Sequence, residues 1–391
     1  VNIIALTLLA TLTSGETSLD INEDKVEKPL VIACYYTWYT TLDGPHKRWG
    51  AWGSDKPSDF SATGSNPDQL IFPPHIRDIS ASAYPLVGLY DSDDPEIVRW
   101  HIQLAKAAGI DAFFVDWWGA AGWQQPPGYT HDVFVNVVLP IAEEEDFKVC
   151  LFDETAQFYH DLNTVKEWAA GYLAQFKDNP AYLHIEGKPV YGIYQVPFDP
   201  RLTPEEATSI RDYVEERVGP VYWILDKIAN GENPITGKYG FMIPEEWIAL
   251  DWVDAFMGYG TFSVQRIHTY EELAPQYAGM AKQIQRAGKA AILPLHPGLD
   301  NSRLQEGSYI IPRKQGDTLR AYIRAATDAG ADALILTSFN EWPETTVVEP
   351  AMTWDDPYRY LKILADWKGL DFTPPPVPEN RVLLRLDLAT P

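Results

Sequence analysis

The chain has 391 residues, is 46% hydrophobic and 22% charged, and has the profile of an ordinary globular protein with room for one large α/β barrel or two average domains. A formal net charge of −24 repels nucleic acid and anionic membrane surfaces, and no basic run opposes that exclusion. The aromatic content, with 14 Trp and 21 Tyr, supplies flat rings with a polar edge that suit either sugar faces or plain core packing.

In chain order, the first element is the apolar run Val1 to Leu12, followed by the small residues Thr13-Ser14-Gly15. It is too short to span a bilayer and reads as the apolar part of a secretory signal, with a hydrophobic first strand as the alternative. Glu16 to Lys28 is polar and linker-like, so residues 1–27 are expected to be a signal remnant and linker, with the mature start between Gly15 and Lys28. The expected location is secreted or periplasmic. No later segment has the length of a transmembrane helix.

From Lys28 onward, short apolar runs alternate with segments of helical period, which is the pattern of βα units and a parallel sheet. The runs are Val31–Tyr36, Ala112–Trp118, Val149–Asp153, Pro189–Tyr194, Val221–Leu225, Val253–Tyr259, Ala290–Leu295 and Ala333–Ser338. They are mostly continuous rather than alternating, as strands buried on both faces should be. Helices are expected over Glu96–Ala108, Val165–Phe176, Pro204–Val218, Tyr270–Ala287 and Asp317–Ala329. Asp94 and Pro95 mark the start of the first, Thr203-Pro204-Glu205-Glu206 that of the third, and Gly109 and Gly330 stand at C-caps. Eight strands favour a closed (β/α)₈ TIM-type barrel of class α/β over residues 28–371. The segment Thr37–Asp94, with Trp49, Trp52, Pro73 and Pro74, is a long elaborated loop after strand one. Residues 372–391 form a Pro-rich tail.

Several features argue against cofactor chemistry. No G-x-G-x-x-G follows the first strand, and the eight His are scattered singly, without Cys/His zinc spacing. The run Asp91-Ser92-Asp93-Asp94 lacks a calcium-loop pattern and fits helix capping better. Cys34 and Cys150 both lie in apolar strands, as buried free thiols or as a bridge if the strands are neighbours. No metal or organic cofactor is expected.

Barrel enzymes carry their catalytic groups at the C-terminal ends of the strands. Here those ends are polar and aromatic: Tyr35–Tyr39, Asp116–Gly119, Asp153-Glu154, Tyr194-Gln195, Asp226-Lys227, Tyr259, His296 and Asn340–Glu344. A ring of carboxylates and aromatics fits a saccharide cleft. Glu341 and Glu344, spaced by three after the last strand, can reach one bound sugar and can push each other's pKa values apart. Glycosidic cleavage needs such a proton donor and a second carboxylate. An E-x-x-E spacing alone is common on solvated surfaces, and its place after a buried strand is what singles this one out. Trp117 and Trp118 are strand neighbours, so one of them faces inward. Asp300 and Arg303 read as an ion pair orienting their loop, while His296 fits a structural role or a sugar contact equally.

At these residues the chain resembles glycoside hydrolase family 99, the endo-α-1,2-mannosidases and mannanases. Tyr35–Tyr39, Tyr84 to Glu96, Ile110 to Gly119, Pro297 to Arg303, Thr337 to Glu344 and Thr346 to Pro350 are similar to segments of that family in the same order, together spanning about residues 31–365. The resemblance implies retaining endo-hydrolysis in which one carboxylate deprotonates the sugar 2-hydroxyl, which attacks C1 to give a 1,2-anhydro intermediate. By position, Glu341 would be that base and Glu344 the general acid/base. Trp118, Glu154, Tyr194, Tyr259, Tyr36 and Asn340 match cleft-lining positions. The chain departs from the family's common His-Glu-Gly, having Pro343-Glu344-Thr345, which alters the leaving-side contacts. The partner implied is an oligosaccharide or polysaccharide. Two other readings stand beside α-mannoside cleavage: the same mechanism on a different α-linked bacterial or algal polysaccharide, and a non-hydrolytic carbohydrate-binding barrel, which would need no proton donor.

Overall fold

The runs read as strands are apolar and rich in β-branched or aromatic residues, and they assemble as one sheet closed on itself. The structure is a computed structural model that describes residues 28–53, 65–72, 76–120, 128–158, 161–195, 201–260, 266–304 and 309–379. The run Val1 to Leu12, the signal-and-linker segment 1–27, Pro73, Pro74 and the end of the tail lie outside the described residues.

Eight parallel strands make the barrel: β1 (Leu30–Tyr35), β2 (Ala112–Trp117), β3 (Lys148–Asp153), β4 (Lys188–Ile193), β5 (Tyr222–Asp226), β6 (Ala255–Met257), β7 (Ala290–Leu295) and β8 (Ala333–Leu336). Each pairs with the next, and β8 pairs with β1 in the register Leu30↔Ala333 to Ala33↔Leu336, which closes the ring. The expected TIM-type barrel is the fold observed.

Side chains alternate across these strands. Phe114 and Phe152 point into the barrel and stack at 4.6 Å between ring centroids. Gly192 on β4 faces them, where a Cβ would run into the Phe114 ring. Each such buried ring contributes about 1.5–3 kcal/mol by leaving water. The intervening residues Tyr35 and Phe113 face outward and stack at 4.4 Å beneath the helical layer.

Helices cover the outside: α1 (Pro95–Ala108), α2 (Tyr129–Val133), α3 (Leu139–Glu144), α4 (Leu162–Phe176), α5 (Pro204–Val218), α6 (Tyr270–Arg286), α7 (Asp317–Asp328) and α8 (Arg359–Lys368). Asp94 caps α1 by accepting the Glu96 N–H, and Gly109 ends it at φ 74°; Thr203 with Glu206 and Thr269 with Glu272 form capping boxes on α5 and α6. A π-turn over Phe134–Val138 separates α2 from α3. The fifth unit departs from the pattern: after β5 the chain makes an antiparallel hairpin, Ala229–Glu232 with Tyr239–Met242, and then a helix of four residues, Glu245–Ile248.

The long loop after β1 buttresses the end of β8. Trp52 is buried against Tyr39 at 4.3 Å and donates Nε1–H to Tyr90 O; Leu86 N–H donates to Pro350 O, and Ser82 N–H to Thr345 Oγ1. Cys34 and Cys150 are buried free thiols. No described helix is long and apolar enough to cross a membrane.

Candidate active site

Strand parity decides which end residues enter the barrel mouth. With Phe114 and Phe152 inward, the same faces carry Asp116 on β2 and Trp118 just after it, Glu154 just after β3, Tyr194 after β4 and Asp226 on β5. Trp117 consequently faces out, with Nε1 3.3 Å from His131 and its ring edge-on to Tyr172. Trp118 lies inward and donates Nε1–H to Asp116 Oδ2 at 2.8 Å.

The segment leaving β8 is held from several sides. Ser338 Oγ accepts the Glu341 N–H at 2.8 Å and pairs with Thr346 Oγ1 at 2.9 Å, so the turn that bears both glutamates closes on itself. Asn340 clamps it to β1: its Oδ1 accepts the Tyr36 N–H at 2.7 Å and its Nδ2 donates to Tyr36 O at 2.9 Å. Tyr39 OH donates to Asn340 O at 2.7 Å and accepts the Trp342 N–H at 3.0 Å. From outside, Arg313 Nη2 donates to Thr345 O at 2.6 Å and Val347 O at 2.9 Å. Behind the segment, Glu349 Oε2 accepts from Tyr90 OH and Trp342 Nε1, each at 2.8 Å, and His101 Nε2 lies 3.3 Å from its other oxygen.

The two glutamates differ in their partners. Glu344 is partly exposed and its Oε2 accepts from Tyr259 OH at 3.0 Å. Glu341 is buried, and its Oε2 has no hydrogen-bond partner among the described residues. Burial raises Glu344 to about 7 against the lowering effect of Tyr259. Burial, then the charges of Glu344 and Asp116, holds Glu341 well above the usual carboxyl range. Both carboxyls are thus pushed toward their neutral forms, and Tyr259 favours charge on Glu344.

Opposite them, Glu154 and Asp116 face each other carboxyl to carboxyl. Burial raises both, Asp116 to about 7 and Glu154 well above its ordinary value, and the contact between them lowers Asp116 and raises Glu154 further. No described cation is among the main influences on these four acids. Aromatic walls complete the cleft. Tyr36, tilted against Trp38 at 4.7 Å, hydrogen-bonds Tyr259, and Tyr194 stands edge-on to Tyr259 at 5.9 Å. Burial and then the charge of Glu344 push the Tyr309 phenol to about 12, and Arg266 lies over that ring at 3.9 Å.

The structure thus brings together Glu341, Glu344, Trp118, Glu154, Tyr194, Tyr259 and Tyr36. Asn340 belongs to the same cluster but is 1% exposed, with its amide engaged by the Tyr36 backbone and Tyr90 OH. Sequence reasoning named Asp116 and Asp226 among the polar strand ends without assigning them to the cleft, and left out Tyr309 and Arg266. Parity from Trp118 and Glu154 would have placed the two aspartates there; Tyr309 and Arg266 lie on loops with no periodic signal. Asp226, pushed by burial to about 8, accepts the Tyr259 N–H at 3.1 Å.

Two expectations are corrected or resolved. Arg303 pairs with Asp78 of the long loop, not with Asp300, whose carboxylate accepts from Ser302 N–H and Oγ–H and whose N–H donates to Glu344 O at 3.0 Å. His296 is structural: it is fully buried, edge-on to Tyr322 at 5.1 Å, and burial lowers it to about 3, so it stays neutral. Among the described residues, no group of three or more His, Cys, Asp or Glu could hold a metal ion.

Residues 27–207 match the family model described as glycosyl hydrolase family 99. The human glycoprotein endo-alpha-1,2-mannosidase-like protein is 25% identical over 349 residues, covering 85% of this chain and 71% of that one. The rat glycoprotein endo-alpha-1,2-mannosidase is 22% identical over 343 residues, covering 82% and 68%. The solved structure of the GH99 endo-alpha-mannosidase from Bacteroides thetaiotaomicron is similar with a TM-score of 0.65 at 24% identity, covering 87% of this chain and 96% of that one.

Proposed function

Given that the chain belongs to glycoside hydrolase family 99 and is a glycosidase, we propose that it is a retaining endo-hydrolase of α-mannosidic linkages acting through a 1,2-anhydro sugar. The observation that carries the reading is the unequal carboxyl pair after β8, one member bonded by Tyr259 and the other with an unpartnered oxygen. The relatives named as endo-alpha-1,2-mannosidases support the linkage, and the aromatic walls of the cleft suit several sugar rings in a row.

Substrate hydrogen bonding sets which member of the pair is ionised. A 2-hydroxyl can donate and favours an ionised Glu341, whereas a glycosidic oxygen can only accept and favours a protonated Glu344. Glu341 then takes the 2-hydroxyl proton, O2 attacks C1, the C1–O bond to the leaving glycan breaks, and Glu344 protonates the departing oxygen. Water next enters at C1 as Glu344 removes its proton, the anhydro ring opens, and Glu341 returns a proton to O2. The site is inverted twice, so the product keeps the α-configuration.

Pro343 supports a second reading, the same chemistry on another α-linked polysaccharide. It has no N–H to offer and a fixed φ immediately before Glu344, where leaving-side contacts form.

NMR of nascent product from an α-mannan tests the mechanism. The α-anomer is expected first, and a 2-O-methyl sugar at the cleaved position is expected to bind without turnover. β-Anomer first, or turnover of the blocked sugar, overturns the assignment of Glu341 as base.

A further inference from the structure

The hairpin that follows β5 stands where a plain helix closes the neighbouring units. It is tightly built. Asn233 is buried, donates Nδ2–H to Phe241 O at 2.8 Å and accepts the N–H groups of Ile235 and Thr236. Gln283 of α6 both accepts from Ile243 N at 2.9 Å and donates to Ile243 O at 2.8 Å. Gly240 has no Cβ, which admits Gln276 of α6 so that its Oε1 accepts the Phe241 N–H at 3.1 Å. A rigid hairpin is thereby held apart from the first turns of α6, leaving a groove of about 450 Å³.

The contents of that groove are those of a small-ligand site of ordinary size. Tyr239 stands at its edge with its side chain outside the core and 74% exposed, the most exposed large hydrophobic residue described. Its backbone lies in a two-stranded ribbon, opposite Glu232. Lys238 and Glu271 are exposed at the rim, while Glu272 is turned to the Thr269 cap. Lys238 offsets one of the two carboxylates lining the groove, and the other, Glu272, is engaged by the Thr269 cap. A flat ring beside one donor and one acceptor suits a neutral pyranose, whose apolar face stacks while its hydroxyls both give and accept hydrogen bonds. The groove also borders the catalytic face: it follows the C-terminal end of β5 and includes Ile267, on the chain leaving β6 beyond Tyr259.

We propose that the groove between the 229–242 hairpin and α6 is a second saccharide site, holding neutral hexose units of a long glycan while the cleft works on another part of the same molecule. The proposal rests on the reading of this enzyme as a glycan hydrolase. Its effect is to raise the local concentration of polymer at the cleft, so it acts on long substrates alone.

The test compares Tyr239→Ala and Glu271→Ala with the unaltered enzyme, on α-mannan and on a short substrate that fills only the cleft, and by retardation of each protein in gels carrying neutral polysaccharides. KM on polymer is expected to rise about 3- to 10-fold with kcat unchanged, a loss in the range of one aromatic stacking contact. Kinetics on the short substrate should stay the same, and retardation should weaken in both variants. Unchanged retardation and polymer KM, equal losses on short and long substrates, or no retardation of the unaltered enzyme by any neutral glycan would each overturn the proposal. Because retardation needs no turnover, the two readings fail separately: a Tyr239-dependent shift without α-mannan cleavage removes the substrate assignment alone, and cleavage with no Tyr239 effect removes the groove alone.

Discussion

Two buried glutamates on one segment, Glu341 and Glu349, sit in opposite kinds of surroundings. Glu349, behind the segment, accepts from Tyr90 OH and Trp342 Nε1 and lies beside His101. Each has one oxygen that lacks a hydrogen-bond partner among the described residues. No described side-chain donor, however, is aimed at Glu341, which faces the cleft, as Tyr90 and Trp342 are at Glu349, and its charged neighbours are acids. Burying a carboxyl costs several kcal/mol unless hydrogen bonds or opposite charge offset it. The first arrangement therefore holds the fold together, and the second leaves a reactive group under stress that the rest of the segment must bear. Asn340, Tyr39 and Arg313 bear it, by fixing the backbone on either side.

The sharpest way to break that contrast is to neutralise each carboxyl in turn. Glu344→Gln and Glu341→Gln should each lower activity on native glycosides by about 10²–10⁴-fold. An acidic leaving group should rescue Glu344→Gln substantially and Glu341→Gln little, because only the former has lost the proton donor. Rescue of Glu341→Gln instead would exchange their roles.

Glu349→Ala should do the reverse. It removes the acceptor of two buried donors, and a loss of about 2–4 kcal/mol is expected by denaturant unfolding, with activity per folded molecule falling far less than in the cleft variants. If Glu349→Ala unfolds like the unaltered protein, the supporting network is not what secures the segment.

The smallest effect concerns stability against pH. The folded pKa values of Glu341 and Glu344 are raised, so below about pH 4.5 the folded and unfolded chains both keep these protons and no penalty exists. As pH rises past that point, unfolded glutamate ionises while the folded pair, with Glu344 at about 7, resists, and stability is lost across the window from roughly pH 4.5 to 7. Glu341→Gln should accordingly be more stable than the unaltered protein above about pH 4.5, by a margin that grows as pH rises. A difference that stays flat over that range would mean that Glu341 ionises normally.

Much of this was legible beforehand because barrel strands are buried on both faces and read as continuous apolar runs; β7, for one, has the expected bounds Ala290–Leu295. β6 spans only Ala255–Met257 of the expected Val253–Tyr259, although the Asp254 backbone still donates to Trp223 O and accepts the Ala290 N–H at its edge. The helices over 129–144 escaped notice because a π-turn breaks the 3.6-residue period, and α8 starts without a side-chain cap. Within the site, glutamates and aromatics at strand ends were visible as types, but their inequality was not. Which carboxyl meets Tyr259, and whether Arg303 pairs with Asp300 or with Asp78, depends on contacts 85 and 225 residues apart in sequence.

The clamp between Tyr36 and Asn340 joins positions 304 residues apart in sequence, across the seam where β8 meets β1. Contacts so distant form late, since nearly the whole chain must be ordered before their closure entropy is offset. Both glutamates lie on the far side of that seam, next to the clamp. During synthesis, then, hydrolytic capability arrives as the last βα units dock, and an unfinished or C-terminally nicked chain carries most of a barrel with no competent acid pair. Turnover in this enzyme reports ring closure itself.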